Sequence, residues 1–536
     1  MLLLSVWAFA PQEKYFEIAK NLDIFATLFQ EVNKSYVDEV SPSDLMKTGI
    51  NAMLSKLDPY TNYIPEDRIE DYRTMTTGEY GGIGAVVGQR NGKVTVIMPN
   101  AGYAADKAGL RIGDQIISID GVEITEDNMY DISKFLKVEA GPDNSLQVKR
   151  YGEPKPLTFS FEREKIKLDN VPYYGMVTED VGLIQLTDFT QNASKEVKNA
   201  LVELKDQGAE KIILDLRGNP GGLLREAINI SNVFVEKGLE IVSTKGKVKD
   251  WNRSHVALRP ATDTDIPLAV LINRSSASAS EIVSGVMQDY DRGVLIGQRT
   301  FGKGLVQATR SLSYNSKLKV TVAKYYIPSG RCIQELDYSH RKLDGSVDKI
   351  PDSLRMEFKT RNGRVVYDGG GVAPDIEAKR PDLSPITRSL INKGLLFEYS
   401  VVYRNTHDQI PPAKEFDISD QDFKEFEAWL SNKDYDYSTP TEELLTRLKD
   451  ASQEEDRYDD IKKEIYSLSD KIQHDKKQDL KKFRKEICEE LEKEILAQYY
   501  FKKGELEASF DDNGEILSAV EVLNNPSKYK RILEDQ

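Results

Sequence analysis

Two short stretches of the chain carry side chains that could do covalent chemistry. Ser278 lies in Ser275-Ser276-Ala277-Ser278-Ala279-Ser280-Glu281-Ile282, and Lys303 in Thr300-Phe301-Gly302-Lys303-Gly304-Leu305-Val306-Gln307. A serine hydroxyl is a poor nucleophile until a base takes its proton. A lysine amine serves as that base only when its pKa is lowered, usually by burial away from water. Small residues around both side chains allow close main-chain approach to a partner or a substrate. A third segment, Arg217-Gly218-Asn219-Pro220-Gly221-Gly222, is rich in glycine for the same use. Taken singly, each has a plainer reading. A Ser/Ala run before a helical pattern is an N-cap, Gly-Lys-Gly is a turn with a solvated lysine, and Asn-Pro-Gly-Gly is a tight turn. Short motifs of this kind also recur by chance.

Together and in this order, the segments resemble the C-terminal processing peptidases, also called tail-specific proteases, over about the first two thirds of the chain. In that family the nucleophile is the middle serine of S-A-S-A-S-E, the base is the lysine of T-F-G-K-G, and a glutamine four residues later orients the base. The resemblance implies Ser278 as nucleophile, Lys303 as base and Gln307 as the orienting residue. It selects Ser278 from four nearby serines, a choice that residue chemistry alone leaves open. The implied activity is serine endopeptidase action near protein C-termini through a Ser-Lys dyad and an acyl-enzyme, with no cofactor and no metal. A helix starting at Ala279 would place Ser278 at its cap, near the positive end of the helix dipole. Ala279 N–H would then be one oxyanion donor, with a second from Gly221 or Gly222. Asp289, Tyr325, Pro328, Gly330, Arg331, Gly371 and Pro374-Asp375 match further family positions and are assigned to scaffold.

The elements that must position these residues follow from periodicity. Residues 166–380 alternate apolar strands with helical patterns: strands at Val181–Leu186, Lys211–Leu216, Leu268–Ile272 and Val294–Ile296, helices at 194–204, 223–235 and 279–289. Such alternation implies a parallel sheet. The glycine turn and Ser278 both follow strand C-termini, where open α/β sheets place their sites. Residues 78–165 read as a PDZ domain, from Gly81-Gly82-Ile83-Gly84 followed by Ala85-Val86-Val87, and then Ala108-Gly109-Leu110, Gly113-Asp114 and Asp120-Gly121. Free N–H groups at Gly82, Ile83 and Gly84 would hold a peptide carboxylate while the strand edge pairs with the peptide. Residues 11–77 read as helices with a broad apolar face (Ile18, Leu22, Ile24, Phe25, Leu28, Phe29), ending at Asp58-Pro59. Leu57-Asp58-Pro59-Tyr60-Thr61 also resembles a family motif, although a helix stop accounts for it. Residues 381–536 read as a helical accessory domain. Thr439-Pro440-Thr441-Glu442 is a capping box there, and Leu480, Phe483, Ile487, Leu491 and Ile495 mark one face. The expected fold is multidomain α/β: a crotonase/Clp-protease-like peptidase core with a PDZ domain, N-terminal helices and a helical C-terminal domain.

Composition narrows the partners. The chain has 536 residues and a formal charge of −15, which argues against a general nucleic-acid binder. The expected partners are proteins or peptides with free apolar C-termini, and a homo-oligomer or adaptor through the C-terminal helices. Cys332 and Cys488 give no disulfide framework, zinc site or thiol centre. Residues 1–10 are apolar and end in Ala8-Phe9-Ala10, which reads as the remnant of a signal peptide or anchor, or else as a short buried segment. An exported protein, periplasmic or membrane-associated in a bacterium, is expected. A Ser–His–Asp triad is the rival enzyme, but His255, His340, His407 and His474 lie in no triad motif. The rival outside catalysis is a PDZ scaffold whose peptidase-like core only binds peptides.

Overall fold

The computed structural model describes residues 10–132, 136, 144–162, 164–342, 346–378, 383–472 and 476–534. Most of the leader-like segment 1–10, the boundary at 380/381 and His474 lie outside the described residues. The chain divides into two compact units.

The smaller unit takes residues 1–69, 306–323 and 337–348. Its helices run Ala10–Ser35 and Pro42–Leu54, the second capped by Ser41, whose Oγ accepts from Asp44 N–H at 3.3 Å. Most of the apolar face read from the sequence is uncovered: Ile18, Leu22, Ile24, Phe25 and Leu28 are all exposed. A short strand, Asn62–Ile64, pairs antiparallel with Lys317–Lys319, with Tyr63 opposite Leu318.

The larger unit is built on one six-stranded sheet in sequential order: β1 (Tyr173–Met176), β2 (Val181–Gln185), β3 (Lys211–Asp215), β4 (Leu268–Ile272), β5 (Val294–Gly297) and β6 (Ile376–Glu377). Only the β1/β2 pair is antiparallel. Helices α1 (Ala193–Asp206), α2 (Leu224–Phe234) and α3 (Ala279–Asp289) link the parallel strands and pack on one another as a layer. These match the expected elements to within two residues.

A parallel sheet buries both faces. The face away from this layer is covered by the end of the chain, α4 (Gly514–Leu523) and α5 (Pro526–Glu534). Ile516, Ala519, Val522 and Leu533 pack with Val181, Leu183, Ile213, Ala269, Leu271, Val294 and Ile296. The strand residues are alternate positions on each strand, and Ile213, Ala269 and Val294 are aligned across the register. The C-terminal helices are therefore part of the peptidase core, a role that the sequence did not show.

The PDZ sheet runs Ala85–Arg90, Lys93–Pro99, Gln115–Ile119, Asn144–Lys149 and Leu157–Phe161, over a core that includes Ile83, Val96, Leu110, Ile116 and Leu146. Ala85–Arg90 is an edge strand. The incoming strand Glu79–Gly82 and the outgoing strand Glu164–Lys167 form a two-stranded ribbon, closed by Leu168 N–H on Gly78 O at 2.8 Å. The two connections to the PDZ domain are thus tied to each other.

Helices Pro385–Asn392, Leu395–Thr406, Asp420–Leu430 and Arg484–Ala508 form a cluster around Leu390, Tyr399, Phe426, Ile487 and Leu491. The capping box at Thr439 forms as expected, with Glu442 N–H on Thr439 Oγ1 at 3.2 Å and Thr439 N–H on Glu442 Oε2 at 2.7 Å. The face from Leu480 to Ile495 is buried, but it spans two helices, Lys476–Lys482 and Arg484–Ala508, broken at Phe483. This cluster also grips the PDZ domain. Ile112, Phe397 and Ala497 are buried together, and Arg90 lies 5.6 Å from the Phe397 ring. A Cβ on Gly113 would stand 2.4 Å from Val401 Cγ2, so only glycine admits this approach.

Candidate active site

Three successive parallel strands place the candidate residues beyond their C-terminal ends. After β3 comes the glycine turn, after β4 the serine run, and after β5 the loop holding Lys303. Local structure singles out Ser278. Ser276 Oγ donates to Leu216 O at 2.8 Å and Ser280 Oγ to Asn219 O at 2.9 Å, so both hydroxyls serve as buried braces. Ser275 is exposed. Ser278 is half-buried at the N-cap of α3, with φ 54° and ψ −109°. A non-glycine residue held there is strained, and such strain is characteristic of a side chain presented for function.

The glycine turn reaches the same point. A Cβ on Gly221, whose φ is +96°, would stand 2.6 Å from Ala277 O, 2.7 Å from Ala279 N and 2.9 Å from Ser278 Cβ. Any side chain at 221 would collide with the serine run. Asn219 fastens the turn: its Nδ2 donates to Leu186 O (2.7 Å), its Oδ1 accepts from Gly221 N–H (2.8 Å), and its main-chain oxygen accepts from Ala277 N–H (3.0 Å). Gly221 N–H is thereby engaged, and the part this residue plays is close approach.

A residue to which the sequence reading gave no role ties the two halves together. Glu281, in the first turn of α3, is fully buried. Its Oε2 accepts from Ser278 N–H (2.8 Å) and Lys303 N–H (2.9 Å), and its Oε1 from Gly302 N–H (2.7 Å) and Thr300 Oγ1 (2.6 Å). Main-chain nitrogens of the serine and the lysine are thus each one hydrogen bond from the same oxygen. Burial pushes this carboxyl up, while the four donors hold it down. The spacing Ser278-x-x-Glu281 is a capping-box signature that could have flagged it. Glu281→Gln would turn an NH2 toward groups that are all donors. We expect a loss of about 1–3 kcal/mol in stability and a fall in turnover of more than about tenfold, measured by thermal unfolding and peptide hydrolysis. Wild-type values in both would exclude Glu281 from the site's framework.

Lys303 is half-buried, and the loop around it is fixed by its neighbours. Gly304 N–H donates to Gln334 Oε1 at 2.8 Å, and a Cβ on Gly302 would stand 2.6 Å from Glu335 Cβ. Tyr325, fully buried, donates its hydroxyl to Ser278 O at 3.1 Å. Burial holds that hydroxyl well above its ordinary pKa, so it stays a neutral donor. Three of the residues assigned to scaffold lie in buried ion pairs: Arg331 with Asp289 at 2.8 Å, and Asp375 with Arg364 at 2.6 Å.

Gln307 belongs to the smaller unit. Its Nε2 lies 3.3 Å from Thr321 Oγ1, and Thr321 also meets Thr61, with Oγ1 atoms 3.4 Å apart. Thr61 Oγ1 donates to Asp58 Oδ2 at 3.0 Å, while Asp58 Oδ1 accepts from Tyr60 and Thr61 N–H at 2.8 Å each. The Asp58-Pro59-Tyr60-Thr61 segment, which a helix stop explains from sequence, is thus chained to Gln307. No sequence signal joins positions so far apart.

In the PDZ domain, Gly84 has φ +74°, and a Cβ there would stand 2.4 Å from Tyr103 Cβ. The Ile83 and Gly84 carbonyls accept from Ala105 and Asn100 N–H at 2.8 Å each, with Ile83 buried in the core. Among the histidines, His340 lies in the strand Leu336–Arg341, His255 in the strand Arg253–Val256, and His407 stacks on Tyr403 at the end of a C-terminal helix. Among the described residues no helix is long and apolar enough to cross a membrane.

A strained serine and a lysine loop at the ends of parallel strands, with a PDZ domain on the same chain, define a serine peptidase equipped to bind peptides. Family models agree: Peptidase family S41 matches residues 180–338, a PDZ domain residues 95–150, and the probable PDZ-protease C-terminal helical domain residues 386–523. The chain is 39% identical over 320 residues to a carboxy-terminal-processing protease of Bartonella bacilliformis, covering 59% of this chain and 73% of that one. It is 35% identical over 316 residues to a probable CtpA-like serine protease of Staphylococcus aureus, covering 58% of this chain and 62% of that one. Among solved structures, the photosystem II D1 C-terminal processing protease aligns over 66% of this chain and 92% of its own, with 27% identity and a TM-score of 0.36. The chain belongs to the carboxy-terminal-processing proteases of peptidase family S41. It is a serine protease with a PDZ domain.

Proposed function

We propose that the chain cleaves proteins near their C-termini through a Ser278–Lys303 dyad, after the PDZ domain has captured the free tail. The observation that carries this reading is the strained, half-buried Ser278, tied through Glu281 to the lysine loop. Lys303 takes the Ser278 proton as Oγ attacks the scissile carbonyl, then returns it to the leaving amine. The acyl-enzyme that remains is released by water. Gln307 orients the lysine amine. Ala279 N–H and the glycine turn meet the oxyanion at the start of α3, where the helix dipole favours negative charge.

The edge strand Ala85–Arg90 supports tail capture, because an extended peptide can add to it as a further strand. Main-chain N–H groups near Gly82, Ile83 and Gly84 would hold the carboxylate and an apolar pocket the last side chain. The test compares one peptide with a free or an amidated C-terminus. Amidation should weaken binding and slow cleavage by about tenfold or more, the loss of a charge-assisted hydrogen-bond set. Equal affinity for both forms would exclude this mode of capture. Occupancy of the PDZ domain would also favour one arrangement of its ribbon and raise cleavage of a second substrate, in proportion to the peptide's differential affinity for the two arrangements. Action on exported proteins outside the cytoplasm, and an oligomer or adaptor on the C-terminal helices, complete the reading.

A further inference from the structure

The glycine turn is fastened from a second side, by the C-terminal region. Arg217 opens the turn. Its N–H, Nε and Nη2 donate to Asp215 at 3.0, 2.9 and 2.6 Å. Its Nη1 donates to Asn513 Oδ1 at 3.0 Å and to the Glu515 carboxylate. The side chains of Arg217, Asp215 and Glu515 are 9%, 2% and 4% exposed. Burial alone would lower the Arg217 pKa, but Asp215 and Glu515 hold it above its ordinary value. A planar guanidinium gripped on both edges has no other rotamer to adopt. The residue after it, Gly218, gives its N–H to Asn273 Oδ1 at 3.0 Å, and the turn then runs to Gly221 against Ser278 and Ala279. Asn513 is the N-cap of α4 and Glu515 lies in its first turn, the helix that seats on the underside of the sheet.

We propose that Glu515 and Asn513 are positioning residues for peptide-bond cleavage: they lock Arg217, and through it set the glycine turn against the nucleophile. The C-terminal region then acts on the chemistry itself, beyond any oligomer or adaptor it carries. This inference rests on the Ser278 reading above. The separate control for that reading is wild-type protein with a peptide aldehyde. Ser278 Oγ adds to the aldehyde carbon, its proton passes to Lys303, and the carbonyl oxygen becomes an oxyanion facing the turn. An aldehyde without effect on wild-type enzyme would sink the Ser278 reading, not the role of Glu515.

The decisive variant is Glu515→Gln in the full-length chain. It keeps volume and leaves the Asn513 cap on Ile516 N–H, 3.2 Å, in place. Asn513→Ala would remove cap and contact together and is less clean. We expect kcat to fall by about tenfold or more, KM to change less than about twofold, and aldehyde affinity to fall by about the same factor as kcat/KM. Peptide binding to the PDZ domain should not change. Glu515→Asp, which keeps the charge at shorter reach, should fall between wild type and Glu515→Gln, and it decides the matter should Glu515→Gln fail to fold. Asn524→Ala removes a 2.7 Å bond from Lys211 at the far end of the same helix and should leave kcat intact. Wild-type kcat in Glu515→Gln, lost kcat with unchanged aldehyde affinity, or an equal loss in Asn524→Ala would each overturn the proposal.

Discussion

Purified Ser278→Ala protein will leave peptide bonds intact while folding and binding peptides normally. The expected fall in kcat is on the order of a million-fold, because removing the nucleophile forfeits the whole covalent route. The fold should tolerate the change. Ser278 braces α3 through main-chain groups, its N–H on Glu281 and its oxygen on Tyr325 and Ile282. Alanine keeps all three bonds, and its methyl costs nothing in volume. The neighbouring serines make the opposite prediction, which sharpens the test. Ser276 and Ser280 hold Leu216 and Asn219 through their hydroxyls, so alanine there should cost about 1–3 kcal/mol in stability. Hydrolysis and thermal unfolding of the three variants separate nucleophile from brace. Wild-type turnover in Ser278→Ala would end the assignment.

Lys303→Arg should be nearly as damaging as Lys303→Ala, with turnover down by roughly a hundred- to ten-thousand-fold, the share expected of a positioned general base. Arginine keeps the positive charge and much of the length but cannot give up its proton at any pH the protein survives. A lysine that only supplied charge would be replaced by arginine at small cost. The pH profile follows from the same argument. The base acts as the neutral amine, so kcat/KM of the wild type should rise with pH until Lys303 is fully deprotonated. Residual activity of Lys303→Arg should not follow that rise. Steady-state hydrolysis across pH for both proteins is the measurement, and an active arginine variant would refute the dyad.

Much of this architecture was legible in the chain itself. The strands and helices from Val181 to Gly297 follow from apolar runs alternating with helical spacing, because burying both faces of a parallel sheet leaves few other patterns. Small residues around Ser278, Lys303 and Gly221 could be read as sites of close approach, since bulk there is excluded. The choice of Ser278 among its neighbours came from family resemblance. The structure supplies a physical reason, in the two neighbouring hydroxyls spent on carbonyls and the one residue held at φ 54°. Only tertiary structure could reveal the rest. Glu281 meets Lys303, Asp58 is chained to Gln307, and Arg217 is held by Glu515 across hydrogen bonds between residues distant in sequence. Such pairs leave no periodic trace.

The C-terminal helices show the division most clearly. Their sequence determines that they are helical and amphipathic, because local spacing and capping fix both. Whether that apolar face meets its own neighbours, a partner or the underside of the peptidase sheet is a question of which surface is left uncovered. That depends on where α1, α2 and α3 pack. In the chain alone, composition and spacing set the order of the elements, while the class of chemistry was read from the resemblance of its motifs to a known family. That the last helices complete the core and reach the glycine turn is visible only in the folded chain, because burial is settled between surfaces that folding brings together.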